Sequence, residues 1–353
     1  LLRSAGHCAR KAGDLPAAEE FLREALEIDR REAVAGRTPW AARNLMVSLL
    51  SVGRMAEIRG ALDVAERDFG EAHDIARQLR DRDDNEQTRD DLCVALVAVG
   101  DVARVKGDAG RAEQLYREVL SLEGTGDFAS DPERAAARAT SLERLGSLML
   151  ERGSLDEAER LLTEALALRR TAAERLPSPE MRINLSNVLQ RVGDLAQQRE
   201  DWQQAQAAYA ESLEVITQVA GEIRSPKAYR VMSLALERLG KFAILFDDNE
   251  QAEAIFRHRL ELDRWVADSQ RTPAEWRNVM SSLYWLADIA EVRGDLDQAE
   301  RFFLEALGIA RDIAGHVPSA DTRDDLRRVL RRLAKLAHKQ GKPEVADQYE
   351  AET

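Results

Sequence analysis

A period of 47 residues governs this sequence. Positions reading Gly-Asp-Leu, or a variant of it, recur at Gly13, Gly60, Gly107, Gly153, Glu200, Asp247, Gly294 and Gly341, at intervals of 47 with a single 46. A unit of this length cannot bury its apolar face alone, so copies must stack side by side and share one continuous core. At 353 residues a non-repetitive chain would instead be expected to divide into two or three closed domains.

Three further rows keep the same register. Five residues after each turn comes alanine, as Ala18, Ala65, Ala112, Ala158, Ala205, Ala252, Ala299 and Ala346, which predicts a close helix crossing. Eleven before each turn comes leucine, as Leu2, Leu49, Leu96, Leu142, Leu189, Leu236, Leu283 and Leu330, which predicts a core row. Seven before it stand Gly6, Gly53, Gly100, Gly146, Gly193 and Gly240, then Ala287 and Ala334. Glycine inside a helix costs about 1 kcal/mol relative to alanine, so close packing must offset it there.

Helix starts are marked separately. Twenty-two residues before the turns stand Thr38, Asn85, Asp131, Ser178, Ser225, Thr272 and Ser319, all good N-caps, and five of them are followed by proline, as at Pro39, Pro132, Pro179, Pro226 and Pro273. The first helix of each unit, helix A, then runs about twenty residues, or roughly 30 Å. Helix B follows the turn with apolar residues at helical spacing, as in Tyr116, Leu120 and Leu122, or Phe303, Leu307 and Ile309. The fold expected is all-α: one solenoid over residues 1–353, of eight helix-turn-helix repeats at about 1–37, 38–84, 85–130, 131–177, 178–224, 225–271, 272–318 and 319–353.

The small residue in mid helix A, the alanine twelve positions on and the aromatic or leucine four beyond it, as in Gly100, Ala112 and Tyr116, resemble the tetratricopeptide repeat family. The resemblance covers essentially the whole chain. It implies a right-handed α-α superhelix that binds a protein or peptide partner in a concave groove lined by helix A. The period is longer than the family's usual 34 residues, which lengthens both helices, and the family's tryptophan at the leucine row is missing. Long-helix, kinesin-light-chain-like members are the nearer comparison.

On helix A the polar positions lie nearly opposite the core stripe at 100° per residue. They include Asn44, Asp91, Asn184, Asn278 and Asp325, then Arg144, Arg191, Arg238, Trp285 and Arg332, then Asp101, Asp194 and Asp288. By the resemblance this face lines the groove. Amides there could bond a peptide backbone, and guanidinium groups suit an acidic partner. A second reading stands beside it: Arg191 can pair with Asp194 on its own helix, and neighbouring repeats can match arginine to aspartate or asparagine, stiffening the stack. Tyr284, Trp285 and Trp276 form the aromatic hot-spot candidate, with core packing the alternative for Trp276.

Composition narrows the function class. A formal charge of −13, from 51 basic and 64 acidic residues, argues against broad nucleic-acid binding. No stretch approaches the eighteen uncharged apolar residues of a membrane span. Cys8 and Cys93 stand in different repeats, which suggests neither a disulfide framework nor a thiolate metal site and fits a reducing cytoplasm. His7, His73, His258, His316 and His338 have no metal-ligand spacing, and no phosphate loop or nucleophile motif occurs, so neither a cofactor nor an enzyme is expected. Only seven of the basic residues are lysine, which fits a GC-rich, bacterial coding sequence.

Two expectations concern the ends. The first helix A should begin about eight residues before Leu1. More protein is therefore expected upstream, and a sensor or regulatory array joined to an upstream effector domain, in a signalling or defence protein, is the alternative to a free-standing scaffold. The last helix A carries Arg327, Arg328, Arg331, Arg332, Lys335 and Lys339, read first as the polar cap that a terminal repeat needs and second as a dock for an acidic partner or nucleic acid, against which the net charge weighs.

Overall fold

The computed structural model describes residues 1–11, 14–124 and 131–352. Gly13, one of the eight turn positions, lies outside the described residues. Among those described the chain is all helix: α1 (Leu2–Lys11), α2 (Leu15–Gly36), α3 (Pro39–Ile58), α4 (Leu62–Arg82), α5 (Glu86–Val105), α6 (Ala109–Glu123), α7 (Pro132–Glu151), α8 (Leu155–Arg175), α9 (Pro179–Gln198), α10 (Trp202–Ile223), α11 (Pro226–Leu245), α12 (Asn249–Gln270), α13 (Pro273–Val292), α14 (Leu296–His316), α15 (Ala320–Lys339) and α16 (Pro343–Ala351). Odd-numbered helices are the A helices of the repeat and even-numbered ones the B helices. No described helix is long and apolar enough to cross a membrane.

The caps explain where the A helices start. Thr38, Asn85, Asp131, Ser178, Ser225, Thr272 and Ser319 each accept a backbone N–H from the first turn, and each of the seven helices that follow is 20 residues long. The tight A-to-B turns place Gly60, Gly107, Gly153, Gly294 and Gly341 at positive φ, and Glu200 and Asp247 adopt the same conformation without glycine's freedom. Asp14, Asp108, Asp201, Asp248 and Asp295 then cap the B helices with their carboxylates.

The periodic rows are the core. All eight alanines after the turns are fully buried, and the leucine row from Leu49 to Leu330 is buried as well. Leu22, Phe69, Tyr116, Leu162, Tyr209, Phe256 and Phe303 lie buried opposite the small residues of helix A. A methyl group added at Gly100, Gly146 or Gly240 would come within 2.7, 2.9 or 2.6 Å of Tyr116, Leu162 or Phe256. Glycine is thus what lets those rings and branched chains reach the helix A backbone, and Ala287 is tolerated beside Phe303.

The helices form two compact units, Leu1–Met181 with Asp194–Glu200, and Arg182–Gly193 with Asp201–Thr353. Within each, consecutive hairpins are joined by polar contacts as well as apolar ones. In the first unit Ser48 donates to the buried Asp29, and Ser141 Oγ donates to Glu123 at 3.1 Å. In the second, Asp263 of α12 accepts from Ser282 of the next hairpin at 2.6 Å; within its own hairpin it accepts from Ser233 of α11 at 2.5 Å, and the buried Arg259 reaches Glu237 at 2.8 Å.

Candidate functional site

The helix A face opposite the core carries polar pairs that run from one hairpin to the next. In the first unit Arg43 Nε meets Asp91 at 2.6 Å and Arg144 Nε meets Asp101 at 2.9 Å, while Arg3 donates to the backbone oxygen and side chain of Asn44. Asp101 is buried and also accepts from Tyr116 Oη at 2.8 Å, so a phenol on helix B fixes the carboxylate that orients Arg144. The hydrogen bond from Arg43 to Asp91 raises the pKa of its guanidinium.

In the second unit Arg277 meets Asp325 at 2.6 Å, Arg230 pairs with Glu275, and Arg332 pairs with Asp288 and Glu291. Burial disfavours charge on Arg332, but its two carboxylate partners more than offset it and hold its pKa above the usual value. Arg238 donates to Gln190 Oε1 at 3.0 Å, and Gln190 in turn donates to the Val231 carbonyl at 3.2 Å. Arg191 and Asn184 lie half-buried on α9, as does Asp194. Asn278 is exposed and donates to Glu275 at 3.1 Å.

The aromatic candidates part company. Trp285 stacks on Phe256 of the preceding hairpin, with centroids 5.4 Å apart and planes at 14°, and Lys241 Nζ stands 5.3 Å above its ring. Tyr284 packs on Phe303 of its own hairpin, and its buried hydroxyl has no hydrogen-bond partner among the described residues. Burial pushes that phenol up to about 12. Trp276 packs against the core and lines a separate cleft of about 370 Å³ with Arg271, Ile309, Ile313 and His316.

Tetratricopeptide-repeat sequence models match residues 4–32, 138–175 and 281–313, and the paired helices and glycine-to-ring contacts have that architecture throughout both units. This is a tetratricopeptide-repeat fold. Solved structures similar to it include BtubC (BKLC) from P. vanneervenii, 19% identical with a TM-score of 0.54, the match covering 73% of this chain and 94% of that one. Apo RapI is 12% identical with a TM-score of 0.57, covering 99% of this chain and 95% of that one. A STAND signal transduction ATPase with a tetratricopeptide repeat sensor, from Pyrococcus horikoshii, is 14% identical with a TM-score of 0.50. The match covers 93% of this chain but 45% of that one, so this chain spans less than half the ATPase's length. No curated protein matches the sequence.

In this tetratricopeptide-repeat array the helix A face is a lattice of matched charges more than a strip of free cations. Arg144 and Arg332 keep about a third of their side-chain surface exposed while already paired. Residues that sequence reasoning passed over do much of the pairing: Arg43, Arg230 and Arg277 sit one position before or near the asparagine and aspartate row, and Glu291 and Gln190 complete the links. Their signal was present in the sequence as opposite charges about one repeat apart, which only stacked hairpins bring together.

Proposed function

We propose that this protein is a binding scaffold whose helix A face takes a peptide or helical segment of a partner protein. In the second unit Arg191, Arg238 and Trp285 are the central contacts, Arg332 stands at one end, and Asn184, Asn278, Asp288 and Tyr284 flank them. Arg144 has the matching place in the first unit, as Asp194 does among its aspartates. The carrying observation is Trp285, a half-buried indole stacked on Phe256 with Lys241 over its ring, on a face of paired guanidinium groups. A rigid aromatic anchor beside oriented donors is what an interface hot spot requires. The guanidinium groups favour carboxylates on the partner, and amides favour its backbone. Catalysis has no part in this reading.

The test is quantitative affinity capture with wild type and the Arg191→Ala/Arg238→Ala double variant. Loss of a partner with unchanged circular dichroism supports the groove, and equal recovery of every partner rejects it.

A second reading makes the array the sensor part of a larger signalling protein. It is favoured by the similarity to a STAND protein that carries a tetratricopeptide repeat sensor, of which this chain would span less than half. Immunodetection of the native polypeptide decides it, since a product no longer than 353 residues leaves no effector.

A further inference from the structure

One junction between hairpins lacks the polar clip that the others share, an ion pair at five of them and an amide-to-carboxylate hydrogen bond at the sixth. In each of the other described junctions the residue just before an A-to-B turn reaches back to an acid six places after the preceding turn. Arg59 pairs with Glu19, Lys106 with Glu66, Arg152 with Glu113, Arg199 with Glu159 and Arg293 with Glu253, and Gln340 donates to Glu300. At the junction of α10 with α11 and α12 both members are exchanged together: Phe246 replaces the base and Gln206 the acid.

An aromatic cluster occupies the place of the clip. Trp202 meets Phe246 edge-on at 6.0 Å and Phe242 at 6.4 Å, and the two phenylalanines lie 4.8 Å apart. Phe246 remains 54% exposed and Leu245 beside it 51% exposed. Loss of an ion pair needs no exposed aromatic to replace it, because a small polar residue would suffice there. The outward face of α10 next to the cluster is uncharged, running Gln203, Gln204, Gln206, Ala207 and Ala210. Charge depletion around exposed aromatics is the composition of an interface core.

The border of the patch is acidic. Asp201, Asp247 and Asp248 are exposed at the two adjoining turns, and none has a basic partner among the described residues. Asp247 holds φ 57°, where the corresponding residue of five other hairpins is glycine, so the carboxylate is kept at some conformational cost. A second copy of this chain would set these carboxylates against their own images across a two-fold axis, in a chain of net charge −13.

We infer that the patch of Trp202, Phe242, Leu245 and Phe246 is a second docking surface, distinct from the helix A face, for a partner segment with an aromatic or aliphatic anchor flanked by lysine or arginine. The anchor packs among the rings, and its basic neighbours meet Asp201, Asp247 and Asp248. The surface stands or falls independently of the groove proposed above.

The test pans a displayed library of random dodecapeptides on the wild-type chain and measures the selected peptides by fluorescence anisotropy. The comparison protein is Gln206→Glu/Phe246→Arg, which rebuilds the clip used at the other junctions. Its circular dichroism and urea midpoint should match or exceed the wild type; if it fails to fold, Phe246→Gln, the residue type found at Gln340, takes its place. The expected result is peptides with an apolar residue beside lysine or arginine whose affinity falls about tenfold or more on the variant. Peptides that bind both proteins equally, acidic flanks among the winners, or no recovered binder would overturn the proposal. So would sedimentation showing that the wild type alone self-associates through this patch.

Discussion

Tyr116 Oη donates to Asp101 Oδ1 at 2.8 Å, joining helix B of one hairpin to the carboxylate that faces Arg144 of the next. Asp101 is almost fully buried and Arg144 is partly exposed, so the carboxylate is the member whose loss leaves buried polar groups unmatched. Asp101→Ala should cost about 2 kcal/mol, Tyr116→Phe about 1 kcal/mol, and Asp101→Asn an intermediate amount because an acceptor for the phenol survives. Urea denaturation followed by circular dichroism orders the three variants, and Tyr116→Phe as the worst of them would show that Asp101 is not the hub.

Overpacking is the expected fault of Gly100→Ala. The new methyl would sit 2.7 Å from Tyr116 Cε1, and the ring is fully buried and tied to Asp101. A gain of about 1 kcal/mol in helix propensity opposes a strain of about 1–3 kcal/mol. Net destabilisation is expected, whereas Gly110→Ala, on an open surface of α6 with only the Asp108 carboxylate near, should be neutral or stabilising. Comparing the two thermal midpoints isolates packing from propensity.

A pH dependence should arise at Glu123, the last residue of α6. Burial raises its pKa to about 7, against weaker opposition from the Ser141 hydroxyl and Arg138. Between the unfolded value near 4.5 and about 7 the folded chain holds a proton that the unfolded chain has released. The folded state binds more protons there, so this group's contribution to stability falls as pH rises through that window and levels off above it. Glu123→Gln should remove that part of the slope and leave the variant more stable than wild type above about pH 7. A variant whose midpoint keeps the wild-type slope between those pH values would refute the assignment.

The cysteines should react unequally. Cys8 is exposed, whereas burial, helped by Glu123, Asp90 and Glu118, pushes the Cys93 thiol up to about 12. Thiolate is the nucleophile, so iodoacetamide at about pH 8 should alkylate Cys8 well before Cys93 in the folded chain, and both alike in urea. Peptide mass mapping over time reads the order directly, and faster labelling of Cys93 would contradict its placement.

How far the sequence could be read differs between fold and site. Register, caps and core were legible, because a 47-residue period repeats the same local demand at each position: a cap at Thr38 or Ser225, a methyl-free backbone at Gly100, a fully buried alanine at Ala112. The serine-to-acid contacts were not. Asp29, Glu123 and Asp263 look like ordinary solvent-facing residues of a helix until the next hairpin sets Ser48, Ser141 and Ser282 against them. The candidate site was legible only as a list of residue types. Whether Arg144 or Arg332 stands ready for a partner or is matched within the array depends on the side chain some 43 residues away, and in both cases an aspartate is there. Trp276, Tyr284 and Trp285 share one helix, yet their rings turn to a cleft, to Phe303 and to Phe256.

The sequence by itself determined that helices of fixed length must pair and stack, since hydrophobic period, caps and turn residues are local and are repeated until no other fold accommodates them. Only the tertiary structure decided which charges are matched and which surfaces are left open, because electrostatic pairing and solvent exposure are set by neighbours distant along the chain. Phe246 shows the division: one aromatic in place of a basic residue is a minor irregularity in the period, and it becomes an exposed cluster only when Trp202 and Phe242 meet it in space.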